Sequence, residues 1–311
     1  MRVLVYGAGV VGSYLAHYLY KSGKDITLLA RGSWYNKIHE DGLIIRHTLQ
    51  LKTTKDHINV IDSLFPDDVY DIVFVVVQYC QLADIIPILA ANRSKTLVFI
   101  GNNADPLGTK SKIDALSTEG KTILFGFAGS AGIRNQDKVI SVHFIDKMTL
   151  GSLDNTQSNG AIVEMLFSGT KYKIVIHNDI ETWLLCHLAF ILPLCYASYE
   201  NEGSLKRISR NKIDQILDAV VEGYRVIQSS GKQVPQDDLD YYIYKRKKAR
   251  RLIRLLGTRI GKLLLGNHAM NAIREMTELT IKFAELRRKA SISTPNWDAL
   301  EPAIYKIQSL H

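Results

Sequence analysis

The stretch from Arg2 to Arg31 restricts the possible folds of this chain more than any other. An apolar run, Val3 to Tyr6, leads into Gly7-Ala8-Gly9-Val10-Val11-Gly12, and a helical pattern then leads to a second apolar run, Ile26 to Leu29. This order predicts a strand, a tight turn, a helix that stops at Ser22-Gly23, and a second strand. In such a turn the first glycine permits a sharp bend, the second lets a pyrophosphate approach the backbone, and the third lets helix pack on strand. We therefore predict that Gly7 to Gly12 bind a dinucleotide at the helix N-terminus; the alternative is an ordinary glycine-rich turn.

The residue after the second strand indicates which dinucleotide is bound. A carboxylate at this place would accept hydrogen bonds from a ribose with two free hydroxyls, but the chain has Arg31 there. A guanidinium suits a 2′-phosphate, because the pair is charge-assisted and can be bidentate. Arg31 therefore favours NADP over NAD as the cofactor. The alternative is a solvated loop arginine.

The pattern along the chain predicts two domains. A length of 311 residues exceeds what one core usually holds, and 46% hydrophobic residues are enough for two. From Asp179 the periodicity is helical almost to the end, so we place the domains at 1–178 and 179–311. The predicted helices of the second domain are 181–200, 209–230, 237–256 and 268–290. The last has one apolar stripe, formed by Ala272, Met276, Leu279, Phe283 and Leu286.

The first domain is predicted to be an α/β domain of the Rossmann type with a parallel-rich sheet, followed by the all-helical domain. The unbroken apolar runs at 70–77 and 96–100 are typical of central parallel strands. A hairpin is predicted at 43–54, a further strand at 123–127, antiparallel strands at 139–144 and 148–151, and a last strand at 172–178. Gln78, Gln81 and Asn102 follow the two central strands, and ligands gather at the carboxyl ends of such strands. They are candidate site residues; ordinary loop polarity is the alternative.

Charge and cysteine usage favour a soluble protein of a reducing compartment. Three cysteines without metal-ligand spacing, and no charged-then-apolar leader before the first strand, lead us to expect a cytoplasmic protein without a metal site. The apolar run Trp183 to Tyr199 is interrupted by a histidine and a proline, so we interpret it as a buried helix and expect no membrane span. The net charge is +8, and the basic run Lys245 to Arg251 could bind nucleic acid or anionic lipid. Because it lacks aromatic interleaving, we expect a solvated helix face and no nucleic-acid partner.

In the order of its parts the chain resembles the ketopantoate reductase family. The marks of the resemblance are Gly7 to Gly12, Leu28 to Gly32, the strand Asp71 to Val77 with Gln81 beyond it, the Asn102 turn, and Glu275 at its spacing before Thr294-Pro295. The resemblance implies an active site in the cleft between the two domains. It also implies NADPH as the hydride donor, a 2-oxo acid as the acceptor, and Glu275 as a substrate-binding residue. Gln78 and Asn102 would then lie in the cofactor site.

The chain departs from the family pattern at the positions that carry catalytic and substrate-binding polar groups. Gln78 stands where the family usually has a lysine, and Gly101-Asn102-Asn103 replaces Gln-Asn-Gly. Leu185 stands at the place of the catalytic lysine, and the family's asparagines one and two turns later fall on Ala189 and Pro193. Without the two lysines, at the positions of Gln78 and Leu185, the site would bind the carboxylate of a 2-oxo acid poorly. We therefore expect a neutral or more apolar substrate than ketopantoate.

A ketone reduced by hydride needs a proton for its oxygen, and a positioned acid typically contributes about 10² to 10⁴-fold. His187 is the nearest candidate on the same helix, and the alternative is a core histidine beside Trp183. His268 is a second candidate. We expect Glu275 to orient the substrate hydroxyl, with an unpaired surface glutamate as the alternative.

Two functions follow from these observations. The first is an NADPH-dependent oxidoreductase that reduces a small carbonyl or 2-oxo compound to an alcohol, with His187 and Glu275 as catalytic residues. The second is a catalytically inactive NADP(H)-binding sensor or interaction protein that keeps the glycine turn. The sequence leaves both a monomer and a homodimer open as the assembly.

Overall fold

The protein consists of two compact units, Met1–Ile180 and Glu181–His311. The computed structural model describes residues 1–154 and 160–310, without the side chains of residues 144, 145, 267 and 268. The first unit combines a parallel-rich sheet with helices, and the regular elements described in the second are all helices. The predicted fold class, a Rossmann-type α/β domain followed by a helical domain, is confirmed. The division falls at Ile180, and the sequence predicted it at about 178.

The first unit contains ten strands and five helices in the part that the structure describes. The strands are β1 (Arg2–Tyr6), β2 (Asp25–Leu29), β3 (Leu43–His47), β4 (Lys52–Asp56), β5 (Asn59–Ile61), β6 (Ile72–Val75), β7 (Thr96–Ile100), β8 (Thr122–Arg134), β9 (Val139–Ser152) and β10 (Lys173–Ile176). The helices are α1 (Val10–Lys21), α2 (Ser33–Asp41), α3 (Leu82–Ala91), α4 (Pro106–Leu116) and α5 (Ala161–Phe167), with a short 3₁₀ turn at Tyr79–Gln81. The region predicted as two strands, 139–144 and 148–151, is one continuous strand, β9, although its pairing with β8 shifts register between Ala128 and Ser130.

Six parallel strands form the centre of the sheet in the order β5-β2-β1-β6-β7-β8. This is the doubly wound arrangement, in which the chain starts in the middle, builds one side, and then crosses to the other. The strand order reverses between β1 and β6, which pair from Val3 with Ile72 to Tyr6 with Val75. In sheets of this kind the crevice beyond the carboxyl ends of the two central strands is the usual ligand site.

The sheet continues beyond β8 and curls around α1. Antiparallel β9 follows β8, and the predicted hairpin β3–β4 pairs with β9 through β3. Only residues 57 and 58 separate β4 at one end of the sheet from β5 at the other, so the two edges approach each other. Helix α1 contacts strands on both sides of this curl, and seven of its residues are buried, Gly12, Ser13, Tyr14, Leu15, Ala16, His17 and Leu19.

The second unit is built from nine helices within the described residues. They are α6 (Ile180–Tyr199), α7 (Arg210–Ser229), α8 (Gln236–Ile243), α9 (Arg246–Leu256), α10 (Arg259–Gly261), α11 (Asn267–Asn271), α12 (Ile273–Ala290), α13 (Pro295–Leu300) and α14 (Pro302–Gln308), with a π-helical turn at Lys262–Gly266. Among residues 1–154 and 160–310, one helix, Ile180–Tyr199, is long and apolar enough to cross a membrane by composition, but 72% of its apolar window is buried inside the protein. Such burial is typical of the core helix of a folded domain.

Two predicted helices are interrupted. The helix predicted at 237–256 is wrong as a single element, because the chain turns at Tyr244 and Lys245 between α8 and α9. The turn brings Arg246 and Arg250 onto α7, where their side chains lie 2.8 Å from Asp218 and 2.7 Å from Asp214. These ion pairs occupy part of the basic run, and Lys247, Lys248 and Arg251 are exposed.

The helix predicted at 268–290 is interrupted at Ala272, which has φ −126° and separates α11 from α12. The apolar stripe of this segment is otherwise as predicted: Ala272, Met276, Leu279 and Phe283 are buried and Leu286 is half-buried. The stripe therefore faces the core of the second unit.

Candidate active site

The glycine turn lies at the point where the strand order reverses. Gly7 directly follows β1, and its N–H donates to the Leu29 carbonyl on β2, with 3.2 Å between nitrogen and oxygen. On the other side, the Val76 N–H donates to the Tyr6 carbonyl at 2.9 Å. The turn is therefore held between β2 and β6, in the crevice where sheets of this type bind their ligands.

Two of the three glycines are required by the packing of the protein itself. Gly7 has φ +120°, and a Cβ there would overlap the carbonyl oxygen of Val76. A Cβ on Gly12 would overlap the carbonyl oxygen of Gly7, since α1 passes directly over the turn. These are the roles expected of the first and third glycines, a sharp bend and a close approach of helix to strand.

The packing of the protein does not explain the second glycine, Gly9. A Cβ added to Gly9 would meet no described protein atom within 4 Å, so the fold does not explain a glycine here. Gly9 is the N-cap of α1, where it makes no side-chain cap, and the first turn of α1 contains no acidic residue. Backbone N–H groups of a helix's first turn without such a cap suit an anion. A pyrophosphate that approached these N–H groups would meet no side chain at Gly9; Ala8 is buried, and Val10 and Val11 are the first residues of α1.

Arg31 lies next to this turn. The side chain is exposed, its guanidinium carbon lies 5.5 Å from the centre of the Tyr6 ring, and a terminal nitrogen donates to the Tyr6 hydroxyl. Burial raises the pKa of Tyr6, although the charge of Arg31 opposes the shift, so the phenol stays protonated at neutral pH. Arg31 is therefore held at the end of β1 by a specific contact, and its role toward a 2′-phosphate stays a prediction.

Gln78 and Gln81 form a local pair after β6. The side-chain oxygen of Gln81 accepts from the Gln78 N–H at 3.1 Å, and the Gln78 side chain caps the Tyr79–Gln81 turn in return. The thiol of Cys80 also donates to the Gln78 side-chain oxygen at 3.7 Å. Both glutamines thus shape the turn at the carboxyl end of β6. The assignment of Gln78 to the cofactor site stays a prediction.

Asn102 differs from its neighbour Asn103. The Asn103 side chain bonds to residues that follow it closely, to the Thr109 hydroxyl in α4 at 3.2 Å and to the Asp105 N–H at 2.8 Å. Asn102 follows Gly101 (φ +149°) at the end of β7 and is only 9% exposed. Among the described residues its side-chain oxygen has no hydrogen-bond partner. A buried carbonyl oxygen of this kind normally has a partner, so Asn102 suits a hydrogen bond to a ligand.

His187 lies on α6 in the second unit. Its ring stacks on the Trp183 ring one turn earlier, with centroids 5.7 Å apart and planes 1° from parallel. His187 is half-buried. This stacking is the arrangement that the core-histidine alternative describes, and it also fixes the direction of the imidazole. The catalytic assignment stays a prediction.

Glu275 lies in the first turn of α12 and is 2% exposed, so the alternative of a surface glutamate is wrong. After burial, the charge of Glu275 is the next cause that raises the pKa of the Cys195 thiol on α6. At a rise of about 1.5 Å per residue, Cys195 lies roughly 12 Å along α6 from His187. The second acid candidate, His268, has a side chain outside the described residues.

The apolar residues of α6 at the positions where the sequence analysis expects the polar groups of the family are part of the core. Leu185 is 6% exposed, Ala189 is fully buried, and Pro193 is buried. Gly223 on α7 packs so closely here that an added Cβ would come within 2.9 Å of both the Ala189 Cβ and the Trp297 ring. A longer polar side chain at Ala189 would displace α7. The apolar residues at these positions of α6 are therefore matched by the packing around them.

Two residues at the glycine turn were not predicted from the sequence, Tyr6 and Trp34. The indole N–H of Trp34, in the first turn of α2, donates to the Ala8 carbonyl at 3.0 Å. The available signals were their positions, directly before Gly7 and three residues after Arg31. Within residues 1–154 and 160–310, no three His, Cys, Asp or Glu side chains are grouped so that they could hold a metal ion.

Comparison with solved structures shows that the fold extends over the whole chain. A 2-dehydropantoate 2-reductase from Geobacter metallireducens GS-15 is 15% identical, with a TM-score of 0.77 over 99% of this chain and 100% of its own. The ternary complex of D-mandelate dehydrogenase with NADH and anilino(oxo)acetate gives a TM-score of 0.76 at 15% identity, over 98% of both chains. A dimeric ketopantoate reductase from Staphylococcus aureus gives 0.70 at 14% identity, over 100% of both chains. At these identities the likeness shows a shared fold.

The sequence itself supports a closer assignment for the first unit. No curated protein sequence matches the chain. A family model described as ketopantoate reductase PanE/ApbA matches residues 3–155, which include the glycine turn, Arg31, Gln78 and Asn102. The resemblance noted from the motifs is thereby confirmed: residues 3–155, the N-terminal half of this chain, belong to the ketopantoate reductase PanE/ApbA family.

Proposed function

We propose that this protein is an NADPH-dependent oxidoreductase that reduces a small carbonyl or 2-oxo compound to an alcohol. The observation that carries the proposal is the space at Gly9. Gly7 and Gly12 are glycines because the protein packs against them, whereas Gly9 faces open space at the N-terminus of α1. A bound pyrophosphate gives the reason for that glycine.

The residues at the carboxyl ends of the central strands fit the remainder of such a cofactor. The guanidinium of Arg31 would pair with a 2′-phosphate, which distinguishes NADPH from NADH. The side-chain oxygen of Asn102, at the end of β7, would accept a hydrogen bond from the ribose or carboxamide region. Gln78 follows the neighbouring strand β6 at the same edge of the sheet. A nicotinamide bound there would supply the hydride for the carbonyl carbon.

The protein must then supply a proton for the carbonyl oxygen. We propose His187 as the proton donor, since its ring is held against Trp183 and a histidine exchanges protons near neutral pH. Glu275 would accept a hydrogen bond from a substrate hydroxyl, and its burial makes a carboxylate hydrogen bond stronger than it would be in water. In this assignment His187 acts on the reacting oxygen and Glu275 on a more distant group.

The substrate is proposed to be less anionic than ketopantoate. Neither Leu185 nor Gln78 can neutralise a carboxylate, and Leu185 and Ala189 make α6 apolar at the positions that would have faced it. D-mandelate dehydrogenase shares the fold and carries a different activity in its name, so the fold itself is compatible with a substrate other than ketopantoate. An aryl or branched-alkyl ketone is the class that we favour.

The decisive experiment measures oxidation of NADPH at 340 nm with a panel of aryl ketones, alkyl ketones, 2-oxo acids and ketopantoate. We expect turnover with at least one neutral or aryl carbonyl compound and a much lower kcat/KM for ketopantoate. A matched reaction with NADH tests the cofactor. Efficient reduction of ketopantoate would contradict the substrate class, and a complete lack of nucleotide binding would contradict the function.

A second candidate function is an inactive NADP(H)-binding sensor or interaction protein. The observation that favours it is the buried, apolar packing of Leu185, Ala189 and Pro193 on α6. The same experiment separates the two candidates. Tight binding of NADPH, without turnover of any carbonyl compound or of any alcohol with NADP⁺, would support the sensor.

The assembly and the compartment belong to the same proposal. The Staphylococcus aureus ketopantoate reductase is described as dimeric, and we propose a homodimer, which sedimentation velocity would test. The three cysteines, Cys80, Cys186 and Cys195, are free thiols and buried, as suits a protein of the reducing cytoplasm. Fractionation of cells that express the tagged chain would test this localisation.

A further inference from the structure

Two contacts join the segment from Tyr6 to Gly12, which includes the glycine turn, to the segment from Arg31 to Trp34. In the first, Tyr6 at the end of β1 accepts a hydrogen bond from Arg31 after β2. In the second, Trp34 in α2 donates to the Ala8 carbonyl inside the glycine turn. Each segment thus holds a residue of the other. The Tyr6 contact holds the Arg31 guanidinium, and the Trp34 contact holds the glycine turn. The two contacts therefore act on different parts of the proposed nucleotide site.

Tyr6 is placed to control the position of Arg31. Its ring is 2% exposed, and β1 is paired on both sides, with Leu29 and Val75 opposite Tyr6 in the neighbouring strands. The ring is therefore fixed by the sheet, whereas the Arg31 side chain is exposed. Because the ring lies 5.5 Å from the guanidinium carbon and the hydroxyl accepts its N–H, Tyr6 offers Arg31 both a surface and an anchor.

We propose that Tyr6 is a positioning residue that sets the preference for NADPH over NADH, by holding the Arg31 guanidinium ready for the 2′-phosphate. This inference rests on the proposed function, because it requires that Arg31 bind the phosphate. An arginine that is ordered before binding loses less conformational freedom when the phosphate arrives. The hydroxyl occupies one of the five N–H donors of the guanidinium and leaves the others for the phosphate.

Trp34 provides the matched contrast. Its hydrogen bond holds Ala8, and the Gly7 to Gly12 turn serves the pyrophosphate, which NADPH and NADH share. Loss of that bond is expected to weaken both nucleotides by the same factor. Loss of the Tyr6 hydroxyl is expected to weaken only the nucleotide that carries the 2′-phosphate. The two variants therefore separate an effect on specificity from a general loosening of the site.

The test measures Kd for NADPH and NADH by titration calorimetry with the full-length protein. The variants are Tyr6→Phe, Trp34→Phe, Arg31→Ala and the double variant Tyr6→Phe/Arg31→Ala. Tyr6→Phe keeps the aromatic ring. The Arg31 guanidinium, which loses its hydrogen bond, is exposed and can be solvated by water, so the variant should keep its fold. We expect Tyr6→Phe to raise Kd for NADPH by about three- to tenfold, from the cost of ordering one long side chain. Kd for NADH should stay within about twofold, and circular dichroism should be unchanged.

The double variant completes the argument. If Tyr6 acts through Arg31, removing the hydroxyl in the Arg31→Ala background should have no further effect on NADPH. Equal weakening of both nucleotides in Tyr6→Phe, or tighter binding of NADPH, would overturn the inference. If the wild type binds NADPH no better than NADH and Arg31→Ala changes neither, the proposed cofactor preference fails first, and the inference falls with it. If Arg31→Ala weakens NADPH binding as expected but Tyr6→Phe leaves the Kd for NADPH unchanged, the inference about Tyr6 is overturned and the proposed function is not.

Discussion

His17 and Asp56 form a buried pair in the first unit, with His17 Nδ1 2.5 Å from Asp56 Oδ2. The other carboxylate oxygen of Asp56 lies 2.8 Å from Lys21 Nζ, one turn further along α1. Burial alone would raise the pKa of Asp56, but the hydrogen bonds from His17 and Lys21 outweigh it and lower the pKa. Asp56 ends β4, so this carboxylate ties the hairpin β3–β4 to α1.

The Asp56→Asn substitution should destabilise the protein by about 1.5 to 3 kcal/mol, the range for hydrogen bonds to a charged group. The amide keeps the volume but loses the charge that faces His17 and Lys21. Urea unfolding followed by circular dichroism would measure the change. Asp41→Asn is the control, because Asp41 makes an equally short pair with Lys37, 2.8 Å, on the exposed surface of α2. Its unfolding midpoint should hardly move. Equal shifts in the two variants would contradict a structural role of the buried pair.

His47 should make the stability of the first unit depend on pH. Burial, and then the charges of His17 and Lys52, lower the pKa of His47 from the ordinary 6.5 to about 4. Between these pH values the folded state therefore binds fewer protons than the unfolded state, and the free energy of unfolding increases with pH. The stability is fully present above pH 6.5 and is lost as pH falls toward 4. The whole interval corresponds to about 3 kcal/mol at most. Urea unfolding at pH 7, 5.5 and 4.5 should show a smaller decline for His47→Gln than for the wild type, and parallel declines would refute the assignment.

The glycine turn offers a test that separates binding from folding. Gly9→Val should abolish binding of both nucleotides, since the side chain enters the space proposed for the pyrophosphate. The protein should stay folded, because a Cβ at Gly9 meets no described protein atom within 4 Å and only the weak N-cap preference of valine opposes the substitution. Gly12→Ala should do the reverse and lower the melting temperature, since its Cβ overlaps the Gly7 carbonyl. Unaltered binding in a folded Gly9→Val protein would mean that the turn is only structural.

Arg31 should decide between the two nucleotides. Arg31→Ala is expected to weaken NADPH by about 1.5 to 3 kcal/mol, which is the range for hydrogen bonds to charged groups. NADH should bind almost as before. Arg93→Ala, which removes another exposed cation of the same unit, serves as the control and should affect neither. Equal weakening of NADPH and NADH by Arg31→Ala would refute the assignment.

The catalytic assignment predicts a poor reaction with ketopantoate and a dependence on His187. His187→Ala should lower turnover of the best carbonyl substrate by about 10²-fold or more, as for a lost general acid. Wild-type activity should fall as pH rises through the range in which a histidine loses its proton. His187→Gln keeps the volume and a hydrogen-bond donor without titrating, so it should lose both the rate and the pH dependence. Full activity of His187→Ala would remove this residue from the mechanism and make His268 the next to test.

The sequence predicted those features that local spacing determines. The turn from Gly7 to Gly12 could be predicted because its glycine spacing follows from sterics that any chain of this type must obey. The hairpin β3–β4 could be predicted because Gly42 precedes an apolar strand and a polar one. The pairing of that hairpin with β9 could not, since Ile45 lies opposite Val139 and no local pattern specifies so distant a partner. The three-residue β5 was missed because it is too short to carry a periodic signal.

In the candidate site, residue types were easier to predict than their surroundings. Arg31 was evident from its place after β2, but its contact with Tyr6 depends on the register between β1 and β2, which pairs Tyr6 with Leu29. The burial of Glu275 was not predicted, because a single carboxylate on an amphipathic helix gives no sign of the break at Ala272 that redirects the helix start. The turn at Tyr244 was hidden for a similar reason: the ion pairs of Arg246 and Arg250 with α7 are tertiary contacts.

The pairing of β3 with the distant strand β9 has a consequence for synthesis on the ribosome. Synthesis of the hairpin is complete at Asp56, but its partner β9 begins only at Val139. At about 5 to 20 residues per second, an interval on the order of ten seconds passes in which β3 has an open edge. An open edge can pair with a strand of another nascent chain. The outer strand β4 carries the exposed lysines Lys52 and Lys55, and charges of this kind keep strand edges from associating. The β4 edge of the hairpin is therefore protected during the interval in which the β3 edge is still unpaired.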